Sequence, residues 1–182
     1  MTRRLKLLPR LVPKPIWWKN LRTHLGQTKW LSEVSRPVRE SAGQGCELCG
    51  GTGEGAPRWK LCCDEVWEYD DAKRTATLVD LQSICWKCSG IIHLGNTTLT
   101  MPERLPELEV HTRRVNGISA AIWKKAVAEE FETWRWRSSL KGWKVQWRGW
   151  RDVLEKTFER HNARLGLRKV GARERGKRVE SL

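Results

Sequence analysis

Cys46-Glu47-Leu48-Cys49-Gly50-Gly51 and Cys85-Trp86-Lys87-Cys88 are the two stretches whose reading decides the fold. Each holds a C-x-x-C pair, and 35 residues lie between Cys49 and Cys85. A gap of two lets both thiolates and nearby backbone N–H groups turn toward one ion, and four thiolates complete a tetrahedral structural zinc site. A single pair would also suit a thioredoxin-like redox motif; two pairs flanking a hairpin favour the metal. The segment between the pairs is acidic and glycine-rich, with few aliphatic side chains to bury. Metal binding supplies the missing folding free energy, on the order of 10 kcal/mol in small zinc modules. Cys62 and Cys63 have no gap between them, so they do not both serve one zinc; they read as one buried thiol and one more exposed.

Between the pairs, residues 59–69 are rich in aromatics and Val and predict a strand. Asp70-Asp71-Ala72-Lys73 predicts a turn, and 75–81 the returning strand. After Cys88, residues 89–94 predict a short helix ended by Gly95 and Asn96. Upstream, 1–15 form a basic, proline-bearing extended arm, and Ile16, Trp17, Leu21 and Leu25 share one face of a helix closed by Gly26. Thr28 caps a second helix with Trp30, Leu31 and Val34, and Ser35-Arg36-Pro37 opens a third turn running to Ala42. Downstream, a helix spans 107–115, closed by Asn116-Gly117, and Ser119 caps another whose stripe is Trp123, Val127, Phe131 and Trp134. Trp143, Val145 and Trp147 alternate with polar residues as a short strand. Trp150, Val153, Leu154 and Phe158 mark a last helix, and 166–182 predict a disordered basic tail. The expected class is α+β: a small zinc-bound core at 44–96 inside a domain of 16–150, flanked by N- and C-terminal helices, the latter at 151–165.

The formal net charge is +14 and the pI about 10.0, which points to a polyanionic partner. The charge is uneven: residues 41–100 carry −3, while 1–40 carry +8 and 150–182 carry +5. Arg3, Arg4, Lys6, Arg10 and Lys14 of the arm are expected to bind nucleic acid through phosphates, as are Arg168, Lys169, Arg173, Arg175, Lys177 and Arg178 of the tail. Among twelve tryptophans, Trp17, Trp123, Trp134, Trp143 and Trp147 sit on apolar stripes and are expected in the core. Trp18, Trp136 and Trp150 are less constrained, and Trp136 between two arginines could stack on a base or pack on the C-terminal strand. No stretch has the length of a membrane span or a secretory signal, so a cytoplasmic protein with reduced thiols and no membrane partner is expected.

The order knuckle, hairpin, knuckle, helix resembles the HNH endonuclease family. It is similar to a bacterial and phage group with a C-E-x-C-G-G knuckle, a C-H-E-V-W-E-Y-D-D hairpin and a C-x-x-C-H-x-x-K-H-L-G helix. Here these read CELCGG at 46–51, CDEVWEYDD at 63–71 and CWKCSGIIHLG at 85–95. The likeness extends to the helices at 18–43, to VNGIS at 115–119 and to FETW at 131–134, roughly residues 10–150. It implies a treble-clef zinc fold of ββα type and metal-dependent cleavage of double-stranded DNA. The family places a general-base histidine on the first hairpin strand, and that position is Asp64 here. The position before it is Cys63, the helix histidine after the second knuckle is Ser89, the asparagine before that knuckle is Asp80, and the next helix histidine is kept as His93. A carboxylate is a far weaker base than imidazole at neutral pH but suits Mg²⁺ or Mn²⁺ as a ligand. Asp64 and His93 are therefore the candidate catalytic and divalent-cation residues, with Glu68 or Asp70 expected nearby. Two readings stand: a nuclease with an altered site, or an inactive zinc module that binds DNA or docks on a larger protein or nucleoprotein complex.

Overall fold

The computed structural model describes residues 5–56, 59–147 and 149–166. Its centre is an antiparallel hairpin of β1 (Leu61–Asp70) and β2 (Thr75–Cys85), with β3 (Lys144–Gln146) parallel to β2 at Thr75 to Thr77. The second hairpin strand is longer at the cysteine end than its sequence pattern suggests: β2 runs straight into Cys85. The register shifts between Val66 and Trp67, where Val79 is the extra residue on β2. Such a bulge reverses which side chains face each way. It puts both Leu78 and Leu81, three residues apart, into one cluster with Leu21, Trp30, Val34, Val38 and Trp150. A second cluster joins Leu7, Ile84, Trp86, Ile91, Leu108 and Trp123, and a small third one joins Ile16, Ala76 and Trp143. The sheet is thus covered by helices on both faces.

On the first face lie α1 (Leu21–Leu25), α2 (Gln27–Lys29), α3 (Arg36–Ser41) and α8 (Trp150–Arg164). The single helix expected from Ile16 is broken: a 3-10 turn ends at Ile16, and Asn20 restarts the chain by accepting the Thr23 N–H at 2.7 Å. This turns Trp17 and Trp18 outward, 50% and 79% exposed, so Trp17 is not the core residue expected. Pro37 does not open a separate turn. Residues Gln27 to Ser41 form one continuous helix whose middle, Trp30–Ser35, is π-helical. The Arg36 N–H reaches back to Leu31, and this widened turn accommodates a proline that has no N–H to give.

On the second face lie α4 (Trp86–Ile92), α5 (Leu94–Thr100), α6 (Leu105–Asn116) and α7 (Ala120–Ser139). Gly95 and Asn96 do not end a helix; the break falls at His93, with φ −97° and ψ 37°. The Thr97 hydroxyl holds it by donating to the Gly90 carbonyl at 2.8 Å. The Ser119 hydroxyl caps α7 and Gly117 closes α6 in the left-handed region, as their sequence positions predict.

The N-terminal arm is extended but is not free. Leu7 is fully buried, and Asn116 binds both sides of it, accepting from the Leu7 N–H and donating to the Leu7 carbonyl. Further along, the Arg10 N–H donates to the Ile92 carbonyl. Arg3, Arg4 and residues 167–182 lie outside the described residues.

Candidate metal centre

The sulfurs of Cys46, Cys49, Cys85 and Cys88 all lie within 4.8 Å of one another. Cys49 Sγ and Cys85 Sγ are 3.6 Å apart. Adjacent sulfurs around a tetrahedral zinc stand about 3.8 Å apart, given Zn–S bonds of ~2.3 Å, so the spacing fits that ion. Among the described residues no other group of three or more potential ligands converges. Cys46, Cys85 and Cys88 compete for ionisation. Hydrogen bonds from Cys85 and Cys88 hold Cys46 far below its usual range, while Cys46 drives Cys88 far above it and Cys85 up to about 12. A divalent cation resolves that conflict by taking all four as thiolates.

Backbone pairing brings the two knuckles together. The Glu47 N–H donates to the Ser83 carbonyl at 2.8 Å, and the Ser83 N–H donates to Glu47 Oε1 at 2.7 Å. The first knuckle is thereby fastened to the end of β2, two residues before Cys85. Gly53 is required in the loop that follows: its φ is +80°, and a Cβ there would lie 2.0 Å from the Lys60 carbonyl oxygen. The Gly51 N–H points at Cys49 Sγ at 3.4 Å. Cys85 caps α4 and Cys88 lies in its first turn, against α6.

There Cys88 Sγ lies 3.3 Å from His111 Nε2. Burial, and then the charges of Lys87 and Arg114, hold His111 below its usual pKa. Neither C-x-x-C motif reveals this histidine, because α5 and a 3-10 turn separate α6 from the second knuckle and carry no metal-ligand pattern.

The chain matches no protein-family model, no curated protein and no solved structure.

Asp64 and His93, on β1 and at the α4–α5 break, come together: Asp64 Oδ1 and His93 Nε2 are 2.9 Å apart. Asp64 is 6% exposed, and its second oxygen, Oδ2, has no hydrogen-bond partner. Arg10 lies 3.8 Å from that oxygen and also donates to Gln82 Oε1. Desolvation opposes protonation of His93, but the hydrogen bond and charge of Asp64 outweigh it and raise its pKa. Ser89 stands one turn before His93 and is buried. Asp70 is not near this pair: it lies six residues along β1, roughly 20 Å at strand rise, and binds the Lys73 N–H in the hairpin turn. Glu68 does not join them in a ligand cluster either. Arg10 is the one arm cation with a place in this site among the described residues. Lys14 sits instead over the Trp134 ring, 5.4 Å from its centroid, and Lys6 donates its backbone N–H to Asn116.

Asp80 plays another part. It accepts from Thr157 and Arg160 of α8, and Arg160 also pairs with Glu47. Glu47 Oε1 lies 3.0 Å from His161 Nε2, and the Ser41 hydroxyl meets His161 Nδ1 at 2.7 Å. Ser41, His161 and Glu47 follow one another as a hydrolytic triad would, but His161 is fully buried and the N–H groups of residues 42–44 are all engaged. With no free donors for an oxyanion, this chain of contacts is a structural clamp. Trp150 at the start of α8 is buried, contrary to its loose sequence context, and Trp136 is 51% exposed. No helix among the described residues is long and apolar enough to cross a membrane.

Proposed function

We propose that this protein is a nucleic-acid-binding module of HNH-endonuclease type, held by one zinc in a treble-clef arrangement, with double-stranded DNA as its ligand. The observation that carries the reading is the Asp64–His93 contact. A β1 carboxylate and a histidine at the end of the second-knuckle helix meet where the family resemblance puts its reaction site, with the arm's Arg10 beside them. Asp64 Oδ1 and His93 Nε2 stand at the separation of adjacent ligands around a small divalent cation, and Asp64 Oδ2 keeps an unused lone pair. These residues would hold Mg²⁺ or Mn²⁺, which would supply charge neutralisation at a scissile phosphate. Arg10 would bind a neighbouring phosphate oxygen through its guanidinium. The net charge of +14 supplies sequence-independent attraction.

A second reading has its own support. The Asp64 charge is already met by His93 and Arg10, and no histidine occupies the general-base position. On that reading the module binds DNA or docks on a larger complex without cleaving. Supercoiled plasmid incubated with the zinc-loaded protein, with and without added Mg²⁺ or Mn²⁺, tests the first reading. Nicking that needs the added ion supports it; binding without nicking supports the second, and absence of binding overturns the nuclease reading and leaves only docking on a larger complex.

A further inference from the structure

We infer that His111 belongs to the metal centre as a positioning residue: its Nε2–H donates a hydrogen bond to the Cys88 thiolate, securing the metal and shielding that sulfur from attack. The inference rests on a zinc at the four cysteines, which elemental analysis of the same sample checks separately.

Three observations on the fold support it. First, the contact is built rather than incidental. α6 lies so close to α4 that a Cβ on Gly90 would come within 3.0 Å of Leu108 Cδ1. Leu108 and His111 are one helical turn apart on the same face, so the close approach at Gly90 also brings the imidazole to Cys88. His111 is only 5% exposed, and packing leaves the ring little freedom.

Second, the contact assigns the tautomer. The other nitrogen, Nδ1, is buried and has no partner. A single ring N–H sits on one nitrogen or the other, and only Nε2 faces a partner. Placed on Nδ1, that proton would be a buried unsatisfied donor, and the Nε2 lone pair would face a thiolate. Placed on Nε2, it makes a charge-assisted bond to sulfur and leaves only an acceptor unmet.

Third, the centre needs the donor. Four thiolates around Zn²⁺ leave it doubly negative, and hydrogen bonds to the sulfurs draw that charge off. Backbone N–H groups of Cys85 and Cys49 serve Cys46, that of Cys88 serves Cys85, and that of Gly51 serves Cys49. Cys88 has the His111 side chain. The ring also forms part of the wall of a surface hollow lined by Lys87, Glu107, Val110 and Arg114, so it stands between solvent and Cys88.

The test compares zinc-loaded wild type with His111→Phe, which keeps the ring and removes the donor, and His111→Gln, which keeps a donor. Zinc transfer to a chromophoric chelator and iodoacetamide labelling of Cys88, mapped by mass spectrometry, are the readouts. We expect zinc affinity to fall by roughly 10- to 100-fold in His111→Phe, the usual effect of removing a partner around the ligand shell, with Cys88 labelled faster. His111→Gln should recover most of this loss. Wild-type retention in His111→Phe, or His111→Gln as labile as His111→Phe, overturns the inference. Should His111→Phe fail to fold, ¹⁵N NMR of the wild type decides: an Nε2-protonated ring supports the inference and an Nδ1-protonated ring overturns it. Absence of zinc from folded wild type overturns the metal reading and this inference with it.

Discussion

The Glu47 carboxylate, set between Cys46 and Cys49 in sequence, lies 3.0 Å from the His161 ring in the last helix. The same carboxylate pairs with Arg160 and accepts the Ser83 N–H. Its pKa is lowered, although desolvation alone would raise it, because the contacts with His161, Arg160 and Ser83 together outweigh that burial. Glu47 therefore ties α8 to the first knuckle.

Replacing Glu47 by Ala should destabilise the fold by about 3 kcal/mol, the low end for breaking a buried pair, because Arg160 keeps some contact with water. Urea unfolding would read the loss. Hydrogen exchange should show α8 opening before the hairpin. A variant with unchanged stability would mean that α8 is held by its apolar packing alone.

Removing the metal should unfold the centre. We expect one zinc per chain, and a chelator or Cys85→Ser should abolish the fixed tryptophan environment around Trp86, whose backbone N–H donates to the Lys60 carbonyl beside the knuckle. Losing the roughly 10 kcal/mol that zinc contributes in small modules exceeds what a domain of this size can spare. Near-UV circular dichroism unchanged after complete zinc removal would contradict this.

Tyr69 is the single tyrosine of the chain, so its titration can be followed alone. Burial raises its pKa to about 12, despite the Arg137 guanidinium over its ring. A folded pKa above the unfolded one means that the phenol's contribution to stability is intact below about 10 and is lost as pH rises toward 12. Ultraviolet absorbance should show no phenolate until then, and Tyr69→Phe should delay alkaline unfolding. Ionisation near pH 10 in folded protein would place the ring in solvent.

Some of this architecture is legible in the sequence because it depends on local rules. The two C-x-x-C pairs, the Ser119 cap and Gly117 each act within a few residues, and all stand where their spacing puts them. What depends on distant partners is not. The proline-rich arm looks free until Asn116 is seen to grip Leu7. Glu47 looks like a knuckle residue until Arg160 and His161 reach it. Gly95 looks like a helix stop, yet the stop is at His93, where Thr97 holds the break. Trp17 leaves the core its stripe predicts because Asn20 restarts the first helix, and Trp150, which its sequence context leaves unassigned, is buried because α8 packs on β2.

Removing residues 166–182 should flatten the salt dependence of DNA binding. Six cations leave with the tail: Arg168, Lys169, Arg173, Arg175, Lys177 and Arg178. For every phosphate that the shortened chain no longer neutralises, the slope of log K against log salt should fall by about 0.9 on duplex DNA. Filter binding or fluorescence anisotropy over a salt series measures it. An equal slope in the shortened chain would show that these cations do not touch DNA.

The last prediction separates a working site from a preserved frame. If the protein nicks plasmid, Asp64 must act through a cation, since its basicity at neutral pH is low. Asp64→Ala should then abolish nicking with Mg²⁺ and with Mn²⁺, and His93→Ala should weaken binding of the ion and raise the concentration needed, because its Nε2 is the atom facing Asp64 Oδ1. If the protein does not nick, the missing histidines are the natural suspects. Asp64→His restores a base but not the ligand lost at Ser89, which stands one turn before His93 on the helix. Asp64→His with Ser89→His should raise activity more than the two single changes together, as groups sharing one site do. Ser89 is buried, so thermal melts must first show that the added ring is accommodated. A silent wild type woken by the double change marks an HNH frame that lost its chemistry. Folded variants that all stay silent while still binding DNA mark a binding module. Nicking by wild type that survives Asp64→Ala would remove the Asp64–His93 pair from the reaction.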